Sequence, residues 1–295
     1  MFYKKKFESR FNSSIGIEID VFSSEVLTQN HEYLRPSTRD YFSILWFKEG
    51  TGQYVIDFKT YSFQPNTIVF LSKEQLHFFK EPNTNFAFLE ISFTGEFMSQ
   101  ASNDLLLMIS FCMREHFEGK QILFLSSNDT HYLTEIVSQM QEIILNWDDD
   151  GKKESLFHMS QLFLIYCRKL QNQQETQINN SKSAVYNDLI GSFTALLEQN
   201  FKKTQKVSFY CDNLNITYNS LAKKTKSYCD KNPKEIIAER VALEAKRLLS
   251  SSSLPIKEIT YELGFDEPTN FVKFFKKIAG LTPAQFRSNY SVVTP

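Results

Sequence analysis

The sequence predicts an α+β protein: a β-rich N-terminal domain, a helical pair, and a C-terminal all-α domain of two helix-turn-helix units. Three observations predict it. Residues Ile17 to Phe93 carry short aromatic and β-branched runs broken by turn residues. From Tyr132 the apolar period changes to that of a helix. Past residue 186 an arrangement of short helix, tight turn and second helix occurs twice.

In the β-rich part, "YFSILWFKEGTGQYVIDFKTYSFQPNTIVFLS" is punctuated by "EGTG" and "QPNT", both good turn chemistry. Short strands at this spacing predict a sandwich or barrel. The next element, "YLTEIVSQMQEIILNW", places Leu133, Ile136, Val137, Met140 and Ile144 on one helical face. The polar turn "DDDGKK" leads into a second helix, "ESLFHMSQLFLIYCRKLQ". "QNQQETQINNSKSA" has almost no apolar residues and reads as a linker. The domain boundaries are therefore 1–128 for the β-rich domain, 129–171 for the helical pair, 172–185 for the linker and 186–295 for the helical domain.

The helical domain opens with "YNDLIGSFTALLEQNF", followed by "VSFYCDNLN" and "TYNSLAKKTKSYC". A long helix, "KEIIAERVALEAKRLL", is announced by Asn232 as cap, Pro233 in the first turn and Glu235 as reciprocal cap. The second pair is "IKEITYEL" and "PTNFVKFFKKIA", split by the turn "GFDE", and a last helix starts at Thr282, Pro283 and Gln285. Gly264 sits where the first helix of that pair must end in a left-handed conformation. Pro268 opens the next helix, whose inward stripe is read as Phe271, Phe274, Phe275 and Ile278.

The opposite face then presents Thr269, Asn270 and Lys273, with Lys276 and Lys277 further along. Amides and hydroxyls near a helix N-terminus with cations behind them suit a recognition helix. Its first turns reach base edges while later lysines meet phosphates. A solvated helix face is the plain alternative for either copy alone. In the earlier copy Asn219, Ala222 and Lys223 stand at comparable places, with Lys224 and Lys226 beyond. Its core side is thinner, because Lys224 and Thr225 follow Leu221 at helical spacing.

Charge is unevenly divided. Residues 186–295 hold 16 Lys and Arg against 11 Asp and Glu, a net +5, whereas residues 1–185 hold 17 against 23, a net −6. The C-terminal part approaches a polyanion more easily. Cys112, Cys167, Cys211 and Cys229 are scattered without metal-ligand spacing and read as reduced, half-buried residues. No run of eighteen apolar residues occurs and the basic start has no apolar stretch after it, so no membrane partner is expected and the chain is read as cytoplasmic.

The stretch "IKEITYELGFDEPTNFVKFFKKIAGLTPAQFR" resembles the C-terminal signature of AraC-type (AraC/XylS) transcriptional regulators, with its GF turn, FFK sequence and closing G-x-T-P-x-x-F-R. The resemblance extends back through "SFYCDNLNITYNSLAKK" and covers roughly residues 186–290. It implies that double-stranded DNA is the partner and that both recognition helices enter successive major-groove segments, about 34 Å apart. Transferred by position, the base-facing residues are Asn219, Ala222, Lys223, Thr269, Asn270 and Lys273. Lys224, Lys226, Lys276 and Lys277 fall to phosphate. Ala222 can offer only an apolar contact, for instance to a thymine methyl. Two departures stand at helix boundaries: Pro255 where the family often has a serine cap, and Asp230 where a glycine commonly follows the first recognition helix.

The resemblance also implies that the β-rich part is a cupin-like sensing barrel and that RNA polymerase is a partner. The apolar faces of the helices across residues 132–170 fit a homodimer and fit packing against their own barrel equally well. Arg35, Arg39, Tyr41, Trp46 and His77 are the pocket candidates for a small-molecule effector: the aromatics have a core role as the alternative, His77 a buried one, and Arg35, Arg39 and His77 offer polar contacts to an anionic ligand. Relatives often carry a His-x-His pair where this chain reads "RPSTRDYF", so no metal site and no cofactor are expected. The competing classes are a cupin-type metal-dependent enzyme fused to a DNA-binding domain and a non-catalytic interaction module. No Gly-rich phosphate loop, nucleophile elbow or HExxH motif supports an enzyme.

Overall fold

A computed structural model describes residues 3–5, 15–25, 36–80, 85–98, 122–148, 150–178 and 188–290. The chain divides into two compact units, one holding the strands and the helical pair, the other residues 185–295. In the first unit ten strands are described: β1 (Tyr3–Lys5), β2 (Ile17–Ser23), β3 (Ser37–Arg39), β4 (Phe42–Glu49), β5 (Gly52–Ile56), β6 (Lys59–Phe63), β7 (Thr67–Leu71), β8 (His77–Lys80), β9 (Ala87–Phe93) and β10 (Ile122–Phe124). They form two five-stranded sheets, ordered β1-β3-β8-β5-β6 and β10-β7-β4-β9-β2. Among the described residues the sheets are not joined edge to edge into a closed barrel.

Strand β4 explains the architecture. Successive side chains of a strand point to opposite faces, and here both faces are covered. Leu45 and Phe47 join Tyr54, Phe63, Val69, Phe79 and Phe88 in a core fed by both sheets. Phe42, Ile44 and Trp46 point the other way, with Ile68, Phe70, Leu89 and Ile91, into a core shared with helices. A strand buried on both sides reads as a nearly continuous apolar run, which is why "FSILWF" carries Ser43 alone as a polar residue and no alternation.

Those helices are α2 (Ser127–Asn146) and α3 (Lys152–Ile178), after a single turn, α1 (Gly95–Met98). Helix α2 starts five residues ahead of the predicted Tyr132, because Ser126 and Asp129 form a reciprocal capping box there. It buries Leu133, Ile136, Val137, Met140 and Ile143; the predicted Ile144 is only partly buried. Helix α3 contributes Leu156, Phe157, Phe163, Leu164, Cys167 and Leu170. It continues to Ile178, so the first part of the expected 172–185 linker is helical. Gln and Glu are good helix formers that need no apolar stripe, and Gln174 Nε2 donates to the Phe124 carbonyl at 2.5 Å. The remainder of that linker, to residue 185, lies outside the described residues.

The second unit is built of α4 (Asp188–Asn200), α5 (Val207–Asn213), α6 (Tyr218–Cys229), α7 (Pro233–Ser251), α8 (Ile256–Glu262), α9 (Pro268–Ala279) and α10 (Pro283–Tyr290). The long α7 is its spine, touching α6, α8, α9 and α10. Its predicted start is present in full: Asn232 accepts from Glu235 N, the Glu235 side chain accepts from Asn232 N, and Pro233 is the first helical residue. Ile236, Ile237, Val241, Ala245 and Leu249 line its buried side.

Candidate nucleic-acid interface

The two helix-turn-helix units are built to one pattern. Each pairs a helix of 7 residues with one of 12: α5 with α6, and α8 with α9. In the first turn Ile216 N donates to the Cys211 carbonyl at 3.0 Å, and in the second Phe265 N donates to the Thr260 carbonyl at 3.1 Å. Both turns require a left-handed residue, Gly264 at φ +74° and, in the first unit, Asn215 at φ +52°. Asparagine tolerates that region better than most side-chain-bearing residues. Its role in the first turn has the same physical signal as the glycine's, although only the glycine stood out in the sequence.

The starts and ends of the two longer helices also correspond. Thr217 caps α6 by accepting from Ser220 N at 3.2 Å. Helix α9 has no side-chain cap at Glu267 and starts on Pro268 instead. At the other end Asp230 (φ +57°) and Gly280 (φ +76°) both turn left-handed, their N–H groups donating to the Lys226 and Lys276 carbonyls. Asp230 thus takes up the backbone conformation for which glycine is the usual residue. The Pro255 departure leaves α8 without a side-chain cap.

Burial sorts the side chains. Leu221 and Thr225 are fully buried on α6, and Phe271 and Phe275 on α9, an i, i+4 pair at the same places in each helix. Thr225 is therefore a core residue despite its hydroxyl, which donates to the Ala222 carbonyl at 3.2 Å. Phe274 and Ile278, predicted as part of the inward stripe, are only partly buried. They line a cleft beside Ile237 and Ala238 of α7. Phe265 of the turn packs on Phe271 and Phe274, with ring centroids 5.4 and 5.0 Å apart.

On the outward faces, Asn219, Lys223 and Lys224 of α6 and Thr269, Asn270, Lys273, Lys276 and Lys277 of α9 are exposed, while Ala222 is partly buried. Neither helix carries an acidic residue. Lys226 is exposed but turned back on Asp230, 2.7 Å from its carboxylate. In both helices amide or hydroxyl groups lie in the first turn and cations follow, the order needed to place donors at base edges and charges at phosphates.

In the first unit the pocket candidates separate. Arg39, buried beside β4, donates to Ser43 Oγ at 2.7 Å and is ion-paired with Glu90, whose Oε1 accepts from Ser92 Oγ at 3.0 Å. His77 is buried with Nδ1 3.3 Å from Ser37 Oγ, on the strand that carries Arg39, and the Tyr41 ring centre lies 5.6 Å from the Arg39 guanidinium. Ser43, Glu90 and Ser92 share the strand faces of Leu45 and Phe88, so this polar group lies between the sheets. Trp46 faces the other way, with its ring 6.4 Å from that of Phe163, and is a core residue of the helix side. Arg35 lies outside the described residues. Among the described residues no three His, Cys, Asp or Glu side chains are grouped as metal ligands.

Comparison with known proteins agrees in both halves. Residues 18–165 match the AraC-like ligand binding domain family and residues 210–289 match the Helix-turn-helix domain family. The raffinose operon transcriptional regulatory protein RafR of Pediococcus pentosaceus is 20% identical over 97% of this chain and 99% of its own length. The transcriptional activator RhaS of Escherichia coli is 21% identical over 94% of this chain and 92% of its own. Histidine kinase P4 of Formosa agariphila is 29% identical over 110 residues, and the chain spans only 8% of that protein's length. Among solved structures, ToxT from Vibrio cholerae superposes with a TM-score of 0.42 at 18% identity, covering 95% of this chain and 98% of that one.

Proposed function

The chain belongs to the AraC-like family of transcriptional regulators, and we propose that it binds specific double-stranded DNA through α6 and α9 and adjusts that binding to a small-molecule effector. One observation carries the DNA reading: two helix-turn-helix units of the same helix lengths bury the same positions and leave amide, hydroxyl and lysine faces exposed on both longer helices. The base-facing set is Asn219, Ala222, Lys223, Thr269, Asn270 and Lys273. Lys224, Lys276 and Lys277 meet phosphate, and Lys226 does so only by giving up Asp230.

The effector reading is supported by the AraC-like ligand binding domain and by the polar group of Arg39, Glu90, Ser43 and Ser92 between two otherwise apolar sheet faces, with buried His77 beside Ser37. A homodimer through residues 132–170 is supported by Leu162 and Ile165, 44% and 48% exposed on α3. RNA polymerase is the partner through which bound DNA is converted into altered transcription. The cytoplasm is the setting such a target implies. No described helix is long and apolar enough to cross a membrane.

Selection of duplexes from random DNA by the full chain tests the reading. A common motif with two half-sites about one helical turn apart is expected. Affinity for it should fall with salt by a log–log slope near 0.9 for each phosphate neutralised. A pool that stays random at low salt overturns the proposal.

A further inference from the structure

The two DNA-reading units are joined through α7, which touches α9 and also borders a cleft beside it. A cleft of about 540 Å³ separates Ile237 and Ala238, in the first half of α7, from Phe274 and Ile278, in the second half of α9, with Gln205 on its wall. A polar bridge from elsewhere reaches the same unit.

The bridge starts in the loop between α4 and α5, just ahead of the first reading unit. Lys202 Nζ lies 3.1 Å from Glu244 Oε1 on α7 and donates to Glu262 Oε1, at the end of α8, at 3.0 Å. The carbonyl of Lys202 is pressed against Gly264 so closely that a Cβ there would stand 2.4 Å from it. Gln205 Nε2 adds a long contact, 3.5 Å, to the Leu263 carbonyl. Loop 202–205 thus holds the turn of the second unit through a side chain and its own backbone. Glu244 is anchored in turn, since Arg240 Nη1 donates to it at 3.1 Å and Arg247 lies 3.6 Å away.

We propose that Lys202 is a positioning residue that sets the separation and inclination of the two DNA-reading helices, and so the half-site spacing the protein accepts. The proposal rests on the reading that both units bind DNA. Without the ammonium, Glu244 keeps Arg240 and Arg247, but no cation bridges it to Glu262. The side-chain tie between the end of α8 and α7 is then lost, α8 and its turn are freer to shift, and α9 follows its turn. Burial lowers the Lys202 pKa, but Glu244 and Glu262 outweigh it and hold the group above its ordinary value, so the strut stays charged at neutral pH.

The test uses the full chain and the duplex it selects, rebuilt as a series with the half-sites one or two base pairs closer or further apart. The wild type should show a sharp optimum. Lys202→Met should bind the optimal duplex roughly three- to tenfold more weakly, the size two partly exposed ion pairs account for, and its preference among spacings should flatten. Base preference within each half-site should not change. Lys202→Arg should restore the sharp optimum, and Lys203→Met, which removes the same charge from the exposed neighbour, should leave the profile's shape intact. Glu262→Gln keeps the Lys202–Glu244 contact and should flatten the profile in part, even if Lys202→Met folds poorly. A wild-type spacing profile in both Lys202→Met and Glu262→Gln, merely shifted to weaker binding, overturns the inference. A wild type that selects no motif would instead overturn the DNA reading on which it rests.

Discussion

Arg240 of α7 holds Glu198 of α4 in a two-pronged grip, Nε donating to one carboxylate oxygen at 2.6 Å and Nη2 to the other at 3.0 Å. The guanidinium is buried and stacks 3.8 Å from the centre of the Phe201 ring, while Nη1 reaches Glu244. Arg240→Met would leave Glu198 and Glu244 without their shared cation. Breaking a buried pair from one side costs about 3–5 kcal/mol. Denaturant unfolding followed by helical circular dichroism should show a loss of that order, and a loss under about 1 kcal/mol would mean that solvent compensates the carboxylates.

Glu244 gives the same cluster a pH dependence. Burial alone would raise its pKa, but Arg240, Arg247 and Lys202 outweigh burial and bring it from 4.5 to about 2. A carboxylate depressed in the folded state contributes stability that is whole above the unfolded value and is lost as the pH falls toward the folded one. The contribution is of order 3 kcal/mol, and it should disappear between about pH 4.5 and pH 2. Unfolding curves at pH 5 and pH 3 should diverge for the wild type by much more than for Glu244→Gln.

Gly264 follows α8 and Gly280 follows α9 at nearly the same φ, +74° and +76°, yet nothing lies within 4 Å of a Cβ at Gly280. Gly280→Ala should therefore cost only the conformational penalty, about 1 kcal/mol. Gly264→Ala adds a collision with the Lys202 carbonyl and should lower the melting temperature by clearly more. Equal effects would show that loop 202–205 yields freely.

At the DNA, Asn270→Ala and Lys273→Ala should each cost about 1–3 kcal/mol on the preferred duplex and relax the choice of base at one position. Lys277→Gln should weaken all sequences alike and reduce the salt slope by about 1. Binding to duplexes substituted one base pair at a time separates the two behaviours.

Between the sheets, Glu90→Gln removes the carboxylate that faces the buried Arg39 guanidinium and should destabilise the β-rich unit by about 3–5 kcal/mol. The double change Arg39→Met with Glu90→Leu should cost less than either single change, because it takes out both charges together. Additive losses in the four-member cycle would show that the two charges are held independently.

Sequence made α9 readable because its signals are local: a left-handed glycine, a proline and a phenylalanine repeat, all within about four turns of chain. Asn215 in the first unit escaped because asparagine is less diagnostic than glycine for the same φ. The end of α3 escaped because "QNQQETQ" is helical without an apolar stripe. Which interior Trp46 enters was not legible for a different reason: when both faces of a strand are covered, alternation no longer tells one compartment from the other. The ion cluster had no local signal either, since Arg240 finds Glu198 42 residues away and Lys202 finds Glu262 60 residues away.

Strand β4 has a final consequence for how this chain can change over evolutionary time. Trp46 and Phe47 are neighbours in the chain but citizens of different cores. Losing or gaining one residue within β4 would exchange their addresses and those of every side chain beyond, spoiling both interiors at once. Length changes in this strand are survivable only in pairs, whereas single substitutions that keep size and polarity are judged by one core alone.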